Sequence, residues 1–215
     1  MLTLYDYAAS ANCYKVRLLL AQLALPYRRV AIDIFGGDTL DDSYRARNPT
    51  RQTPVLELDD GEAVFESGAI LWYLADGSPF LADSRLGRAR TLQWLSFEQE
   101  QVMMGIGGAR FRSLTGREPQ NPALVAARRA LGGGALDVLQ GVLAERPFLV
   151  EDRYSIADIA VYGYAHVADE AGLSLAERPA VRAWLARVEE QPGHVNDLAP
   201  YPENAWPGAG RSIYD

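Results

Sequence analysis

The feature that most constrains the fold is a change of pattern close to residue 77. Before it, short β-rich runs alternate with helical periodicity in the order β-α-β-loop-β-β-α. After Gly87 the chain reads as helix, apart from a tail rich in proline and glycine. A small mixed sheet covered by helices satisfies the first pattern, and a helix bundle satisfies the second. We therefore expect an α/β domain over residues 1–77, a linker over 78–86 and an all-helical domain over 87–215.

Residue type and spacing predict the elements inside each domain. Apolar residues at i, i+3, i+4 and i+7 form one face of a first helix that starts at Asn12. Gly61 separates two β-rich runs and accepts the positive φ of a tight turn, which predicts a hairpin. Ser67 is placed to cap a further helix. The predicted strands are residues 2–6, 29–32, 54–58 and 63–65, and the later helices are residues 88–114, 122–144, 155–171 and 179–190.

Two local motifs stand out in the helical part. The segment Ser155-Ile-Ala-Asp158 precedes an apolar run and is a variant of the capping box, which predicts a well-defined, buried helix. Gly132-Gly133-Gly134 lies inside a predicted helix, although each glycine there costs about 1 kcal/mol relative to alanine. This glycine run indicates either a kink or a close contact between helices.

Composition limits the partners of the chain. The formal net charge is −7, and arginine and lysine do not cluster among aromatic residues, so we expect no nucleic acid. No apolar stretch approaches the roughly 20 residues that span a bilayer, so we expect no membrane. His166 and His194 show no metal-ligand spacing with each other or with Cys13, so no metal is expected. The lone Cys13 excludes an internal disulfide and, with a start that lacks signal-peptide features, indicates the cytoplasm.

Four segments resemble the cytosolic glutathione transferase family, and the resemblance covers essentially the whole chain. Residues 10–17 (SANCYKVR) resemble the active-site loop and first helix of the serine-type, theta- or zeta-like bacterial members. Residues 48–56 (NPTRQTPVL) and 66–74 (ESGAILWYL) are similar to the segments that bind glutathione, and residues 154–158 (YSIAD) match the capping motif of the helical domain. The resemblance implies a thioredoxin-like first domain and glutathione as co-substrate.

The resemblance also implies roles for single residues. A free thiol has a pKa of about 8.5, so forming a thiolate at neutral pH requires a hydrogen-bond donor and positive potential. Ser10 would donate to the glutathione sulfur, and the first helix would supply the potential. Asn12 is either a second donor or the helix cap. The other implied glutathione contacts are Gln52 at the glycine end, the main chain of Thr53 beside a cis Pro54, and Glu66 with Ser67 at the γ-glutamyl end.

Other residues compete for the role at the sulfur. Tyr5 and Tyr7 lie near the end of the first strand, where other classes of the family place a tyrosine hydroxyl. Cys13 holds the second position of Ser-x-x-Cys, one turn inside the helix, where a thiol usually behaves as a small apolar group. The spacing of Ser10, Cys13 and the following Val-Arg favours Ser10, although a serine there can also serve only to stabilise the turn.

The expected reaction is attack of the thiolate on a hydrophobic electrophile in a homodimer. The resemblance places the first long helix of the second domain at the cleft, and two methionines there suit an apolar substrate. The same apolar face of this helix is equally compatible with packing in the protein core or at a dimer interface. Alternatives are isomerase, dehalogenase or disulfide reductase chemistry at this site, and a non-catalytic binding module. The expected second-substrate residues are Tyr7, Met103, Arg110 and Phe111.

Overall fold

The computed structural model describes residues 1–214, which form two compact units. The first unit combines residues 1–74 with residues 195–214, and the second contains residues 75–194. The tail, expected with the helical domain over 87–215, instead belongs to the first unit, because its polar groups are hydrogen-bonded there. Residue 215 lies outside the described residues.

The first unit is built on a mixed four-stranded sheet in the order β2-β1-β3-β4. Strand β1 (Leu2–Asp6) is parallel to β2 (Tyr27–Ala31) and antiparallel to β3 (Val55–Glu57), which pairs with β4 (Ala63–Phe65). Each predicted strand is present, with β2 beginning two residues before the predicted start. The hairpin turn is also present, and Gly61 has a φ of 89°.

Three helices accompany the sheet: α1 (Ala11–Gln22), α2 (Asp42–Arg47) and α3 (Ser67–Ala75). Helix α3 begins at Ser67 itself, so Ser67 is its first residue and not its cap. Helix α2 is absent from the predictions because its six residues are mostly polar and show no apolar period. Its Tyr44 is buried and fastens the helix to the segment before β3.

The tail is attached to the loops that follow β1 and β2. The Ala199 N–H donates to the Ala8 carbonyl at 3.1 Å, and the Arg211 N–H donates to the Phe35 carbonyl at 2.7 Å. Two further contacts are the ion pair between Arg17 and Asp197 at 2.9 Å and the packing of the Tyr7 and Tyr201 rings, whose centroids are 6.3 Å apart. The tail therefore lies beside the residues that lead into α1.

The second unit is helical. It consists of α4 (Arg85–Phe97), a π-helical segment (Glu98–Gly107), α5 (Gly108–Leu114), α6 (Pro122–Glu145), α7 (Ile156–Ala165) and α8 (Pro179–Glu189). The first three follow one another without a break, in agreement with the predicted run 88–114. Helix α7 ends before the predicted residue 171, and a short 3₁₀ turn (Ala168–Ala171) follows. The expected linker over 78–86 is packed into this unit, where the Phe80 carbonyl accepts from the Ile156 N–H at 2.9 Å.

The predicted capping box at Ser155 is present. The Ser155 N–H donates to Asp158 Oδ2 at 3.1 Å, and the Ser155 Oγ accepts from the Ala157 N–H at 3.3 Å. Asp158 Oδ1 also accepts from the Leu149 N–H and from Trp184 Nε1, both at 3.0 Å. Burial raises the pKa of Asp158 to about 6, while the hydrogen bonds lower it. The motif therefore joins three segments of the helical unit.

The glycine run in α6 marks a close contact between helices. A Cβ added to Gly132 would lie 3.0 Å from the backbone nitrogen of Ile106, and one added to Gly105 would lie 2.4 Å from the backbone nitrogen of Gly132. A Cβ added to Gly134 would meet nothing within 4 Å. The close contact, one of the two readings of the sequence, thus applies to Gly132.

The two glycines should respond in opposite ways to substitution by alanine. We expect Gly132→Ala to lower the free energy of unfolding by about 1–3 kcal/mol, because the new methyl group overpacks the contact. Gly134→Ala should raise it by about 0.5–1 kcal/mol, because alanine loses less backbone entropy in a helix. Urea unfolding of both variants checks this, with each serving as the other's control. A Gly132→Ala protein as stable as the parent would contradict the assignment.

Candidate active site

Ser10 lies at the end of the loop after β1 and is the N-cap of α1. Its backbone is extended, and its Oγ accepts from the backbone N–H of Cys13 at 3.3 Å. A hydroxyl that accepts one hydrogen bond still has its own proton to donate. The first N–H groups of the helix add positive potential at the same place. The capping role and the predicted donor role of Ser10 are therefore compatible.

Asn12 joins the N-terminal ends of α1 and α3. Its Oδ1 accepts from Lys15 Nζ at 2.8 Å and from Ser67 Oγ at 3.4 Å. Since Ser10 is the cap of α1, the alternative in which Asn12 caps the helix is wrong. The two helix ends that carry predicted glutathione contacts are thus connected through one side chain.

The segment before β3 carries the cis proline that the resemblance implied. The Thr53–Pro54 peptide bond is cis, and Thr53 is half-buried. The carbonyl of Gln52 accepts from the Tyr44 hydroxyl at 2.7 Å and from Asn48 Nδ2 at 2.8 Å, while its side chain is exposed. The main chain of this segment is therefore held in place, and the Gln52 amide is accessible.

Glu66 and Ser67 lie where β4 turns into α3. Ser67 is 3% exposed, and Glu66 is exposed with a φ of 69°. A positive φ is uncommon for residues other than glycine, and such conformations concentrate at ligand sites. The Glu66 carboxylate has no hydrogen-bond partner among residues 1–214. It is therefore accessible at the start of a helix whose N–H groups favour an anion beside it.

Comparison with known proteins agrees with this geometry. The profile of the glutathione S-transferase N-terminal domain matches residues 4–85, and that of the glutathione S-transferase C-terminal domain matches residues 102–192. The chain belongs to the glutathione S-transferase family. A crystal structure of a glutathione S-transferase from Pseudomonas fluorescens is 44% identical and has a TM-score of 0.89, covering 92% of this chain and 99% of that one. The predicted family and fold class are thereby confirmed.

Two further relatives bear on the chemistry. The Escherichia coli protein YfcG, named a disulfide-bond oxidoreductase, is 31% identical over 200 residues, which are 89% of this chain and 92% of YfcG. A family member from Pseudomonas fluorescens, solved with two glutathione molecules bound, is 27% identical with a TM-score of 0.78, and 89% of each chain is covered. The serine-type subclass of this glutathione transferase stays a prediction.

Cys13 of this glutathione transferase is a buried thiol. It is 0% exposed, and its sulfur accepts from the Tyr7 N–H at 3.3 Å. Burial and, after it, the charge of Asp6 raise the pKa of Cys13 to about 12, although hydrogen bonds from Thr53, Tyr7 and Ser10 act to lower it. A thiol in this state is a poor nucleophile at neutral pH.

We expect the native protein to resist alkylation at Cys13 and to keep its activity without this thiol. Iodoacetamide should leave Cys13 unmodified in the folded protein at mildly alkaline pH and modify it fully after denaturation, as mass spectrometry would show. Cys13→Ala should retain glutathione-dependent turnover within about twofold, because a thiolate is hardly populated at a pKa near 12. Rapid labelling of the folded protein would contradict the assignment.

The two tyrosines that compete with Ser10 differ in their surroundings. The Tyr5 hydroxyl donates to Glu57 Oε2 at 3.0 Å and is occupied in that interaction. The Tyr7 hydroxyl is buried and has no hydrogen-bond partner among residues 1–214. Burial also raises the pKa of Tyr7, so the phenol stays neutral. Tyr7 lines a groove of about 430 Å³ with Ala8, Ala9 and tail residues Pro200 and Pro202.

The predicted second-substrate residues of the helical unit are of two kinds. Met103 and Phe111 are half-buried, so part of each side chain is accessible. Arg110 is 2% exposed, and its Nε donates to Glu170 Oε2 at 2.5 Å. Because its guanidinium is enclosed and paired inside the helical unit, Arg110 does not suit contact with a substrate.

Several features of the site lie beyond the sequence predictions. Lys15 and Tyr44 hold predicted residues, and the tail residue Tyr201 packs on Tyr7. The apolar pattern of α1 predicts a helix around Lys15, but nothing in that pattern predicts that the lysine is buried. Across residues 1–214 no group of His, Cys, Asp and Glu has the arrangement of a metal site, and no helix is both long and apolar enough to cross a bilayer.

Proposed function

We propose that this glutathione transferase uses Ser10 to stabilise the thiolate of bound glutathione. The observation that carries the proposal is the convergence of the ends of α1 and α3, where Asn12 is hydrogen-bonded to Ser67 next to Ser10. In this proposal the Ser10 hydroxyl turns its one proton from Cys13 toward the glutathione sulfur, and the first N–H groups of α1 add positive potential. Both lower the thiol pKa and so raise the thiolate fraction at neutral pH.

The peptide part of glutathione is assigned to the surrounding residues. The main chain of Thr53, beside the cis proline, pairs with the cysteinyl unit like an added strand. Ser67 and the start of α3 receive the γ-glutamyl carboxylate, and the exposed Glu66 accepts from its ammonium group. Gln52, whose side chain is exposed, contacts the glycine end.

The reaction forms a carbon–sulfur bond to a hydrophobic electrophile. The thiolate supplies the electron pair, and the electrophile either releases its leaving group or takes up a proton after addition. Candidate contacts are Met103 and Phe111 of the helical unit, which are partly accessible, and Tyr7 of the first unit, which lines the groove described above. Arg110 is omitted because Glu170 engages it.

Titration with reduced glutathione tests the proposal. Calorimetry should show binding, and the ultraviolet absorbance of a thiolate should appear with it and disappear in Ser10→Ala. Binding without a thiolate signal would favour a non-catalytic binding module. The absence of binding at millimolar glutathione would refute the proposed function.

Reduction of mixed disulfides of glutathione is a second candidate. YfcG, whose name assigns it disulfide chemistry, is similar over most of this chain. Since Cys13 is buried with a raised pKa, the attacking thiolate here would be glutathione itself. It would attack the disulfide of a glutathionylated thiol, giving glutathione disulfide and the free thiol. Turnover of such a disulfide by Cys13→Ala would support this candidate.

We further propose a cytoplasmic homodimer. Tyr73 on α3 and Leu86 and Leu92 on α4 are large apolar residues that are between 49% and 58% exposed, as expected of surfaces that pair with a second copy. A free, buried Cys13 suits a reducing compartment. Light scattering should give the mass of two chains, and Leu92→Glu should shift it toward one.

A further inference from the structure

Lys15 is the only lysine of the chain, and its side chain is completely buried. Lysine is rarely buried unless its ammonium group is paired. Here the ammonium lies 2.8 Å from Oδ1 of Asn12, one turn earlier on α1. A buried cation is thus directed at a residue of the proposed glutathione site.

The contact fixes which end of the Asn12 carboxamide faces inward. An ammonium group only donates hydrogen bonds, so the atom that it meets must be the carbonyl oxygen. The hydroxyl of Ser67 approaches the same oxygen at 3.4 Å. The Nδ2 group therefore lies on the opposite side of the carboxamide. It has no acceptor among residues 1–214 and is not one of the enclosed polar atoms, so it faces open space.

We propose that Lys15 is a positioning residue, which holds Asn12 so that Nδ2 is presented to the sulfur of bound glutathione. This inference rests on the proposed function. The nitrogen and oxygen of a carboxamide differ little in size, so without the ammonium group the carboxamide of Asn12 can reverse. A carbonyl oxygen would then face the sulfur and oppose ionisation of the thiol, whereas an N–H donor favours it.

The test is a double-mutant cycle read out on the thiol pKa of bound glutathione. Thiolate absorbance is titrated against pH for the parent, Lys15→Met, Asn12→Ala and the double variant. Each single variant should raise the thiol pKa by about one unit, a tenfold loss of thiolate below the pKa. The double variant should raise it no further, because both changes remove the same donor.

An effect of charge alone gives a different result. If the charge of Lys15 acted on the sulfur directly, Lys15→Met would raise the thiol pKa in the Asn12→Ala background as well. Such additive pKa shifts would overturn the proposal. An unchanged pKa in Lys15→Met would overturn it as well. Arg182→Met, which removes an exposed cation of the helical unit, is the control for net charge and should leave the thiol pKa unchanged.

A second pair of variants covers the case in which Lys15→Met does not fold. Lys15→Arg keeps a group that only donates and should preserve the thiol pKa, while Lys15→Gln, which can also accept, should raise it. Equal pKa values in these two variants would overturn the proposal. Failure of the parent to bind glutathione would refute the proposed function and this inference together. If glutathione binds with a lowered thiol pKa that does not change when Lys15 is substituted, the inference alone is refuted.

Discussion

Replacing Ser10 by alanine should lower kcat roughly 30-fold, because a hydrogen bond to a charged sulfur contributes about 2 kcal/mol. The thiol pKa of bound glutathione should rise by about 1.5 units for the same reason. The Kd for glutathione should change by less than about threefold, since Ser10 is proposed to contact the sulfur and not the peptide ends. Steady-state kinetics combined with calorimetry separates the two quantities.

Two matched variants sharpen this result. Ser10→Thr keeps both a hydroxyl and a helix cap, so it should retain most of the turnover. Ser67→Ala removes the proposed contact to the γ-glutamyl carboxylate and should weaken glutathione binding more than it lowers kcat. Because Ser10→Ala also loses the cap, worth about 1 kcal/mol, the comparison requires a temperature at which every variant is folded. Equal losses of kcat and affinity in Ser10→Ala would contradict the assignment.

Asp158→Ala should lower the free energy of unfolding by about 4 kcal/mol. The carboxylate accepts from the N–H groups of Leu149 and Ser155, from the Ser155 hydroxyl and from Trp184 Nε1. All of these donors lie in buried residues, so removing the carboxylate leaves several buried N–H and O–H donors without an acceptor. The melting temperature should fall by roughly 10 °C in a chain of this size.

Asp137→Ala is the control for this change. Asp137 is an exposed acid of the same unit and pairs with Arg178 at 2.7 Å, so its loss should cost less than about 1 kcal/mol. Chemical unfolding of both variants, followed by circular dichroism, gives the comparison. Similar destabilisation by the two substitutions would show that Asp158 is an ordinary surface carboxylate in energetic terms.

The predictions succeeded where a signal lies within a few residues. The strand over residues 2–6, the hairpin at Gly61 and the capping box at Ser155 each depend on neighbours up to four residues away. Helix α2 was not predicted because its stability depends on Tyr44, whose hydroxyl bonds to Gln52 outside the helix. The placement of the tail also lacks a local signal, since the tail is held by partners such as Arg17, which lies 180 residues from Asp197.

The candidate site divides in the same way. Ser10 and the Glu66-Ser67 pair are recognisable from short motifs, and the structure places Ser10 and Ser67 at helix starts. That Ser10 and not Asn12 caps α1 is shown by the hydrogen bond from the Cys13 N–H to the Ser10 hydroxyl, a contact that only the fold reveals. The exclusion of Arg110 also required the fold, because its burial against Glu170 joins residues 60 positions apart.

Periodicity, turn residues and short motifs are local signals, and they are enough to predict the two kinds of domain, nearly all of their elements and the family. Three features emerge only in the folded chain: the tail joins the first unit, Gly132 makes a close helix contact, and Lys15 is buried against Asn12. These features depend on burial and on hydrogen bonds between residues that are distant in sequence, and both are set by the packing of the whole chain. Local propensity does not encode which distant groups meet.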